Sequence, residues 1–165
     1  MKVKTEIEIP DGINASLNGD EISISGPKGK VSRKLPSTVK LEGKKIMLVN
    51  NSKEKVNATA AIIKSLFKGV QEGFAKKMKI IFAHFPMTVE IKGKEIYIKN
   101  FLGEKVSRVA DIVGDTVVKS EKEFVKISGP DKYAVGQTVA NIKTATHIRN
   151  KDPRTFQDGL YEVDE

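Results

Sequence analysis

The chain has 165 residues, of which 39% are hydrophobic and 30% are charged, which excludes a disordered protein and leaves room for one ordinary domain or two small ones. It has no cysteine, which excludes disulfides, thiolate nucleophiles and cysteine-ligated zinc sites and favours a reducing, cytoplasmic environment. The net charge of +8 favours a polyanionic partner, because clustered Lys and Arg release counterions from phosphates. The first residues alternate charged and apolar side chains with no long apolar run behind them, so we expect neither a signal peptide nor a membrane span.

The charge is distributed unevenly along the chain. Residues 1–82 carry a net charge of +8, whereas residues 83–165 are neutral overall. Within the second half, residues 119–154 carry +4 and the last eleven residues carry −4. Charge alone therefore points to the first half as the polyanion binder, while the second half contains a locally basic stretch of its own.

The sequence repeats itself at an offset of about 75 residues. In both copies an apolar residue followed by proline leads to two similar stretches, which are residues 19–24 and 29–33 in the first copy and residues 93–98 and 103–108 in the second. Each copy continues through one more alternating stretch and closes with a helical segment. This order predicts an α+β fold of two tandem repeats, residues 1–82 and 83–165, each a small, mostly antiparallel sheet covered by one helix.

Glycine-containing turns separate the alternating strands, because glycine supplies the positive φ that tight hairpins need. The turns at residues 18–20, 42–44 and 92–94 predict such hairpins. Residues 25–30 superficially resemble a phosphate-binding loop, but the GxxxxGK[ST] spacing fails because residue 24 is isoleucine and residue 31 is valine. We interpret this stretch as a basic hairpin turn whose lysines can reach phosphates.

The first helix is predicted over residues 52–72, with Asn51 and Glu54 spaced as a capping box and Gly73 as the C-terminal stop. Its apolar positions step by four and three and form one stripe, which consists of Val56, Ala60, Ile63, Phe67 and Val70. Residues 74–85, which follow the helix, are predicted to be a strand-like connection between the repeats.

The second helix is predicted to begin near Asp131 and to run towards Arg149, and its buried edge consists of Val135, Val139 and Ile142. Gly136 lies inside this helix, where glycine costs about 1 kcal/mol relative to alanine, which suggests that another molecule approaches closely. Beside the buried edge a helical wheel places Gly136, Ala140, Lys143 and His147, and further round it places Tyr133, Gln137 and Thr144. Such a face could admit a sugar-phosphate backbone held by Lys132 and Gln137. The alternative is a solvent-exposed face with an incidental glycine.

The residues after the second helix, 147–161, form a mixed basic and aromatic tail without enough apolar periodicity to predict an element of its own. Basic residues interleaved with Phe156 and Tyr161 are typical of a tail that RNA orders, because aromatic rings and guanidinium planes stack on bases. The alternative is a tail packed back on the second sheet, for which either ring would suffice.

The inventory of catalytic side chains is poor. The two histidines, His84 and His147, have no His, Asp or Glu four residues later to form a helical metal pair, so structural or RNA-contacting roles are favoured. Most carboxylates lie in turns and are expected to be solvated surface charges. The sequence therefore predicts no enzyme, no metal or other cofactor and no small-molecule substrate.

The sequence from the start of the second helix onwards resembles the universal large-subunit ribosomal proteins numbered six, the L-six family. The matching residues are Gly129, Asp131, Lys132, Val135, Gly136, Gln137, Ala140, Ile142 and Arg149. The resemblance covers the whole chain and includes residues 72–74 and 100–105. Bacterial members end in a Lys-Gly-Lys-Gly-Ile run, whereas residues 151–154 and 156–159 here are similar to the archaeal and eukaryotic branch, and we favour an archaeal source.

The resemblance implies a structural constituent of the large ribosomal subunit in the cytoplasm. It implies binding of large-subunit rRNA near the sarcin-ricin loop and the stalk base, beside neighbouring ribosomal proteins, where the chain supports the translation-factor-binding region. The residues expected to bind rRNA are Lys132, Tyr133, Gly136, Gln137, Asn141, Lys143, His147, Arg149, Lys151, Arg154, Phe156, Gln157 and Tyr161. Secondary RNA contacts are expected at Lys28, Lys30, Lys105 and Arg108. The alternative function is that of a non-ribosomal RNA-binding adaptor protein.

Overall fold

The structure is a computed structural model that describes residues 1–163, so Asp164 and Glu165 of the acidic C-terminal stretch lie outside the described residues. The chain divides into two compact units. The first unit comprises residues 1–73 together with residues 130–132, and the second comprises residues 74–129 and the chain from Tyr133 onwards. The division falls at residues 73 and 74, earlier than the boundary at residues 82 and 83 that the repeat suggests.

The first unit contains six strands and one helix. In chain order they are β1 Val3–Glu8, β2 Asn14–Asn18, β3 Glu21–Gly26, β4 Gly29–Lys34, β5 Thr38–Glu42, β6 Lys45–Asn50 and α1 Lys53–Gln71. The strands form two antiparallel sheets, with the orders β1-β6-β5 and β2-β3-β4. The hairpins predicted at residues 18–20 and 42–44 are both confirmed, and the basic stretch at residues 25–30 is the β3–β4 hairpin turn.

The core of the first unit lies between α1 and the two sheets. The predicted apolar stripe of α1 is confirmed: Val56, Ile63 and Val70 are fully buried, Phe67 is buried, and Ala60 packs at the margin of the core. The sheets contribute the alternate residues of their strands, namely Ile7, Ile22, Ile24, Val31, Ile46 and Leu48. The apolar residues that alternate along the strands therefore pack against those spaced by three and four along α1, and together they form one core.

The two ends of α1 test the predicted caps. The N-cap is Ser52, whose Oγ accepts a hydrogen bond from the backbone N–H of Lys55, so the prediction that Asn51 caps the helix is wrong by one residue. Glu54, the second residue of the predicted capping box, does take part at this helix end, because the hydroxyl of Ser52 donates to its carboxylate. Gly73 follows the helix with φ +78° and donates its N–H to the carbonyl of Gly69 at 2.9 Å, which confirms the predicted stop.

The second unit repeats the order of the first and adds one strand. Its elements are β7 Phe74–Ile81, β8 Thr88–Lys92, β9 Glu95–Lys99, β10 Arg108–Asp111, β11 Val117–Ser120, β12 Phe124–Gly129, α2 Lys132–Ala145 and β13 Gly159–Val163. The antiparallel sheets have the orders β11-β12-β7-β13 and β10-β9-β8. The predicted α+β fold of two tandem repeats is confirmed, with the strands of each repeat shared between two small sheets.

Two features of the second unit differ from the predictions. The strand-like character predicted for residues 74–85 is confirmed at residues 74–81, which form β7, but this strand lies between β12 and β13 inside a sheet and is not a connection between the repeats. The tail, predicted to lack an element, provides β13, whose Leu160 is 2% exposed. The end of the tail is therefore paired within the second sheet, as the alternative interpretation of the tail held. The predicted buried edge of α2, with Val135, Val139 and Ile142, is confirmed.

Within the described part of the chain, no helix combines the length and the apolar character that crossing a bilayer requires.

Candidate RNA interface

The outward face of α2 is open. Lys132, Tyr133, Gly136, Ala140 and Lys143 are all exposed on this helix, and Tyr133 is 60% exposed. Within residues 1–163, and apart from the adjacent residues and backbone of its own helix, no atom lies within 4 Å of a Cβ atom built on Gly136, so packing in this part of the chain does not require glycine there. The helix backbone is therefore accessible at this turn to a molecule from outside.

Two amide side chains at the margin of this face are held in place. The Nδ2 atom of Asn141 donates to the carbonyl oxygen of Asp111 at 3.0 Å, and the Nε2 atom of Gln137 donates to Oδ1 of Asn141 at 3.0 Å. Both side chains are half-buried. This ladder fixes the orientation of Gln137, so that a ligand on the open face would meet an amide whose rotamer is already ordered.

A cleft lies between the C-terminal end of α2 and the tail. It is lined by Lys143, Thr146, His147, Ile148, Pro153, Gly159, Leu160 and Tyr161. Three residues predicted to bind rRNA, Lys143, His147 and Tyr161, thus border one concavity, although 18 positions separate the first from the last. The exposed ring of Tyr161 and the cation of Lys143 give the cleft an aromatic and a positively charged side.

The cation of Lys143 is already paired inside the second unit. Its Nζ contacts the carboxylate of Glu162 in β13, and Lys76 lies 3.6 Å from the same carboxylate. The hydrogen bond from Lys143 lowers the pKa of Glu162, so this carboxylate stays ionised and connects α2 to β13. A phosphate that binds at Lys143 must therefore compete with Glu162.

Arg108 is a structural residue in this geometry. Its guanidinium donates to Glu104 at 2.7 and 3.0 Å and to the carbonyl oxygens of Ala145 and His147 at 3.0 Å, and it lies 4.6 Å from the ring centroid of Phe101. The hydrogen bond from Arg108 lowers the pKa of Glu104 and raises that of Arg108 itself.

The helix α2 ends at Ala145, short of the predicted end near Arg149, and Arg108 satisfies carbonyl oxygens that this helix end leaves free of intrahelical partners. Any RNA contact by Arg108 must therefore share a guanidinium that already binds within the second unit, whereas the side chain of Lys105 is exposed.

The tail between α2 and β13 contains a tight turn. The carbonyl oxygen of Asp152 accepts the backbone N–H groups of Thr155 and Phe156, and its Oδ1 accepts that of Arg154 at 2.9 Å. Gln157 donates its Nε2 to the carbonyl of Arg154 at 3.2 Å. The turn leaves the side chains of Arg154, Gln157, Arg149 and Lys151 exposed. The basic residues of the tail are thus presented by ordered backbone.

The candidate residues of the first unit lie around the β3–β4 turn. The backbone N–H of Lys28 donates to the carbonyl of Val70 at 2.9 Å, and its side chain is exposed, as is that of Lys30. Residues 130–132 cluster with this unit, and Arg33 donates to both carboxylate oxygens of Asp131 at 2.9 and 3.1 Å. The acid next to Lys132 is therefore held by a bidentate ion pair.

Comparison with known proteins decides the family. The model of the family "Ribosomal protein L6" matches residues 9–73 and 85–159 of this chain. The chain belongs to the Ribosomal protein L6 family. Three relatives share the name "Large ribosomal subunit protein uL6".

The relative from Methanothrix thermoacetophila is 40% identical over 99% of this chain and 97% of its own length. That from Methanosarcina mazei is 43% identical over 98% and 97%, and that from Thermoplasma volcanium is 41% identical over 95% and 93%. The predicted resemblance, including its archaeal and eukaryotic branch, is thereby confirmed. Since the Ribosomal protein L6 family is structural, the chain is not an enzyme.

The two segments of the Ribosomal protein L6 match follow the two repeats. The match includes the open face of α2 and the tight turn of the tail, and it omits residues 74–84. That omitted segment contains β7 and His84, and no candidate site residue was predicted in it from the sequence. His84 lies beside Phe156 and Asp158, residues more than 70 positions later in the chain, so no spacing pattern could have indicated their association. Among residues 1–163, no cluster of three or more His, Asp or Glu side chains is arranged to hold a metal ion.

Proposed function

We propose that this structural component of the large ribosomal subunit binds large-subunit rRNA through its second unit, near the sarcin-ricin loop and the stalk base. The observation that carries the proposal is the open turn of α2 at Gly136, where glycine reduces helix stability and no close contact with the described residues explains its presence. In a family of ribosomal proteins, the molecule most suited to such a close approach is the sugar-phosphate backbone of rRNA.

The groups around Gly136 have the chemistry that an RNA backbone requires. Lys132 and Tyr133 precede it at the start of the helix, and the cleft lined by Lys143, His147 and Tyr161 follows at the end. The tail adds three further exposed cations, which are Arg149, Lys151 and Arg154. Phosphate contacts from the cations position the RNA, while Tyr161 and Phe156 offer rings to unpaired bases. We also propose that the protein contacts neighbouring large-subunit proteins and supports the translation-factor-binding region, in ribosomes of the cytoplasm.

Sedimentation is the primary test of this proposal. A tagged copy is expected to cosediment with large subunits in the cell, whereas a chain that stays at the top of the gradient would support the non-ribosomal adaptor instead. Binding to an isolated rRNA fragment that contains the sarcin-ricin loop then tests the site. The double variant Gly136→Glu with Lys132→Ala is expected to abolish this binding, because it places a carboxylate at the open turn and removes an adjacent cation.

A matched control makes the same change of charge on another exposed surface of the second unit. Ser120→Glu with Lys122→Ala alters two exposed residues at the β11–β12 hairpin, and we expect it to retain binding. Equal losses in the two double variants would show that net charge, and not the α2 face, governs the affinity.

The basic first unit is proposed to bind RNA phosphates as a secondary site. Lys28→Gln with Lys30→Gln is expected to lower the slope of log K against log salt by about 0.9 for each phosphate that these lysines neutralise in the natural chain. Substitutions suit this test better than deletion of residues 1–80, because that deletion would remove most of β7 from the sheet of the second unit. An unchanged slope would assign all of the RNA binding to the second unit.

A further inference from the structure

The loop after β7 displays aromatic rings on the surface of the second unit. Phe82 is 50% exposed and Phe85 is 46% exposed, with His84 between them. Large apolar side chains gathered on a surface usually mark a place where another molecule binds. None of these residues belongs to the face of α2 or to the cleft described above.

The buried carboxylate of Asp158 holds the backbone of this loop. Asp158 is completely buried, and its Oδ1 accepts the backbone N–H of Ala83 at 3.0 Å and lies 3.7 Å from Nδ1 of His84. On the other side, Phe85 packs against Gly103, where an added Cβ would lie only 3.3 Å from the ring. The aromatic loop is therefore held in one arrangement by contacts to two other segments of its unit.

The ring of His84 forms part of a stack. It lies on Phe156 with the ring centroids 4.9 Å apart and the planes inclined by 24°, and the ammonium group of Lys151 lies 4.6 Å from the centroid of Phe156. The side chain of His84 remains 40% exposed. Unpaired nucleobases stack on exposed aromatic rings, because every base offers a π-face, and a neighbouring cation can pair with the phosphate of the nucleotide.

We propose that this loop and its stacked partner form a platform for unpaired bases of RNA, made of Phe82, His84, Phe85 and Phe156. The assignment rests on the proposed function and extends the ring contact proposed at Phe156 to the loop after β7, where Phe82, His84 and Phe85 supply further rings. The cation over Phe156 and the basic tail that contains it favour a nucleic acid over an apolar protein surface, because exposed cations beside the rings remain compatible with phosphates.

The test separates aromatic rings from apolar bulk. Phe82→Leu with Phe85→Leu keeps much of the apolar volume and removes both rings, whereas Phe82→Tyr with Phe85→Tyr keeps them. A matched control, Val109→Ala with Val117→Ala, trims two other exposed apolar residues of the same unit. Affinity is measured at several salt concentrations for the rRNA fragment and for a single-stranded oligoadenylate that contains 2-aminopurine, and thermal unfolding confirms that each variant is folded.

The leucine variant is expected to weaken binding to both RNAs by about tenfold or more without changing the salt slope, and to reduce the quenching of 2-aminopurine that stacking produces, because only His84 and Phe156 remain of the four rings. The tyrosine variant and the valine control should behave like the natural chain. Phe82→Leu alone tests the same point without touching the packing on Gly103. Since Gly136→Glu with Lys132→Ala leaves the platform intact, that variant should retain ring-dependent quenching.

Two results would overturn the platform. One is a leucine variant that binds both RNAs, and quenches the 2-aminopurine of the oligoadenylate, as the natural chain does. The other is a leucine variant with unchanged RNA affinity that no longer enters large subunits, which would assign the loop to a protein partner. If the natural chain fails to bind the rRNA fragment yet quenches the oligoadenylate through these rings, the proposed function fails and the platform stands.

Discussion

The two units of this chain share one order of strands and helix, yet their sheets end differently. In the first unit β1 is the edge strand of its sheet, whereas in the second unit the equivalent strand β7 has β12 on one side and β13 on the other. The outward-facing residues Lys4, Glu6 and Glu8 of β1 are charged, a pattern that discourages the pairing of an edge strand with another chain. The second copy instead covers this edge with its own tail.

The helices differ in a related way. Both contain a glycine, but Gly69 of α1 is buried against its own unit, whereas Gly136 of α2 is exposed. The C-terminal end of α1 is closed by the backbone of Gly73, whereas the end of α2 is closed by the side chain of Arg108. Both helices thus cover a core with one face, but the glycine lies on the buried face in α1 and on the exposed face in α2, where the candidate RNA interface lies.

The largest expected effect comes from removing the side chain that anchors β13. Leu160→Ala is expected to destabilise the protein by about 3 kcal/mol, because a fully buried leucine is replaced by a cavity. Denaturant unfolding measures the loss, and hydrogen exchange should show reduced protection of the β7 amides.

Tyr161→Ala, on the exposed face of the same strand, serves as the control and should change stability by about 0.5 kcal/mol or less. Full protection of the β7 amides in Leu160→Ala would show that β13 does not protect β7. The proposed difference between the edges of the two sheets would then be contradicted.

A second comparison concerns close approach of backbones in the two copies. A Cβ on Gly26 at the end of β3 would lie 2.9 Å from the carbonyl oxygen of Val70, whereas a Cβ on Gly129 would lie 3.3 Å from a methyl group of Val135. Gly26→Ala is therefore expected to cost about 2 kcal/mol, since backbone cannot yield as a side chain can, and Gly129→Ala about 1 kcal/mol or less.

Thermal and denaturant unfolding of the two variants measure this difference. Equal losses would show that the helix backbone of the first unit gives way as easily as a side chain of the second.

The parts of the fold that could be predicted are those set by local pattern. Strand alternation, glycine turns and the stripe from Val56 to Val70 involve residues close in sequence, so the repeat and α1 follow from them. The strand β13 could not be predicted for two reasons. Its buried residues, Gly159 and Leu160, are adjacent, so its five residues show little alternation of buried and exposed positions. Its partner β7 also lies about 80 residues earlier in the chain.

The candidate site divides in the same way. The open face of α2 follows from helical periodicity, and the exposure of Gly136 agrees with it. The capping by Arg108 and the stack of His84 on Phe156 join residues 37 to 72 positions apart, so only the folded chain brings them together. The sequence names Arg108 as a secondary RNA contact, and only the structure shows that its guanidinium also binds carbonyl oxygens at the end of α2.

A smaller effect distinguishes the two interpretations of the glycine in α2. Gly136→Ala is expected to raise the free energy of unfolding by up to about 1 kcal/mol, because the added methyl group meets nothing and alanine favours the helix. If RNA approaches this turn, the same variant should bind the rRNA fragment several-fold more weakly in a titration. A gain in stability without a loss of affinity would support an incidental glycine on a solvent-exposed face.

The smallest expected effect tests the contrast between the two helix ends. Glu104→Gln weakens the ion pair that holds Arg108 against the carbonyls of Ala145 and His147, and since Glu104 is half-exposed we expect a loss of less than about 1 kcal/mol at neutral pH. The pKa of Glu104 is lowered below its ordinary value of 4.5, so its contribution is complete above 4.5 and is lost as the pH falls through the lower value of the folded state.

The difference in stability between Glu104→Gln and the natural chain should therefore be present in denaturant unfolding at neutral pH and diminish as the pH falls below 4.5. Ser52→Ala at the start of α1 is a useful reference, because loss of an N-cap hydroxyl costs about 1 kcal/mol and part of that cost persists in acid. A Glu104→Gln difference that stays constant down to acid pH would mean that the charge of Glu104 does not hold Arg108, and that packing against Phe101 alone closes the end of α2.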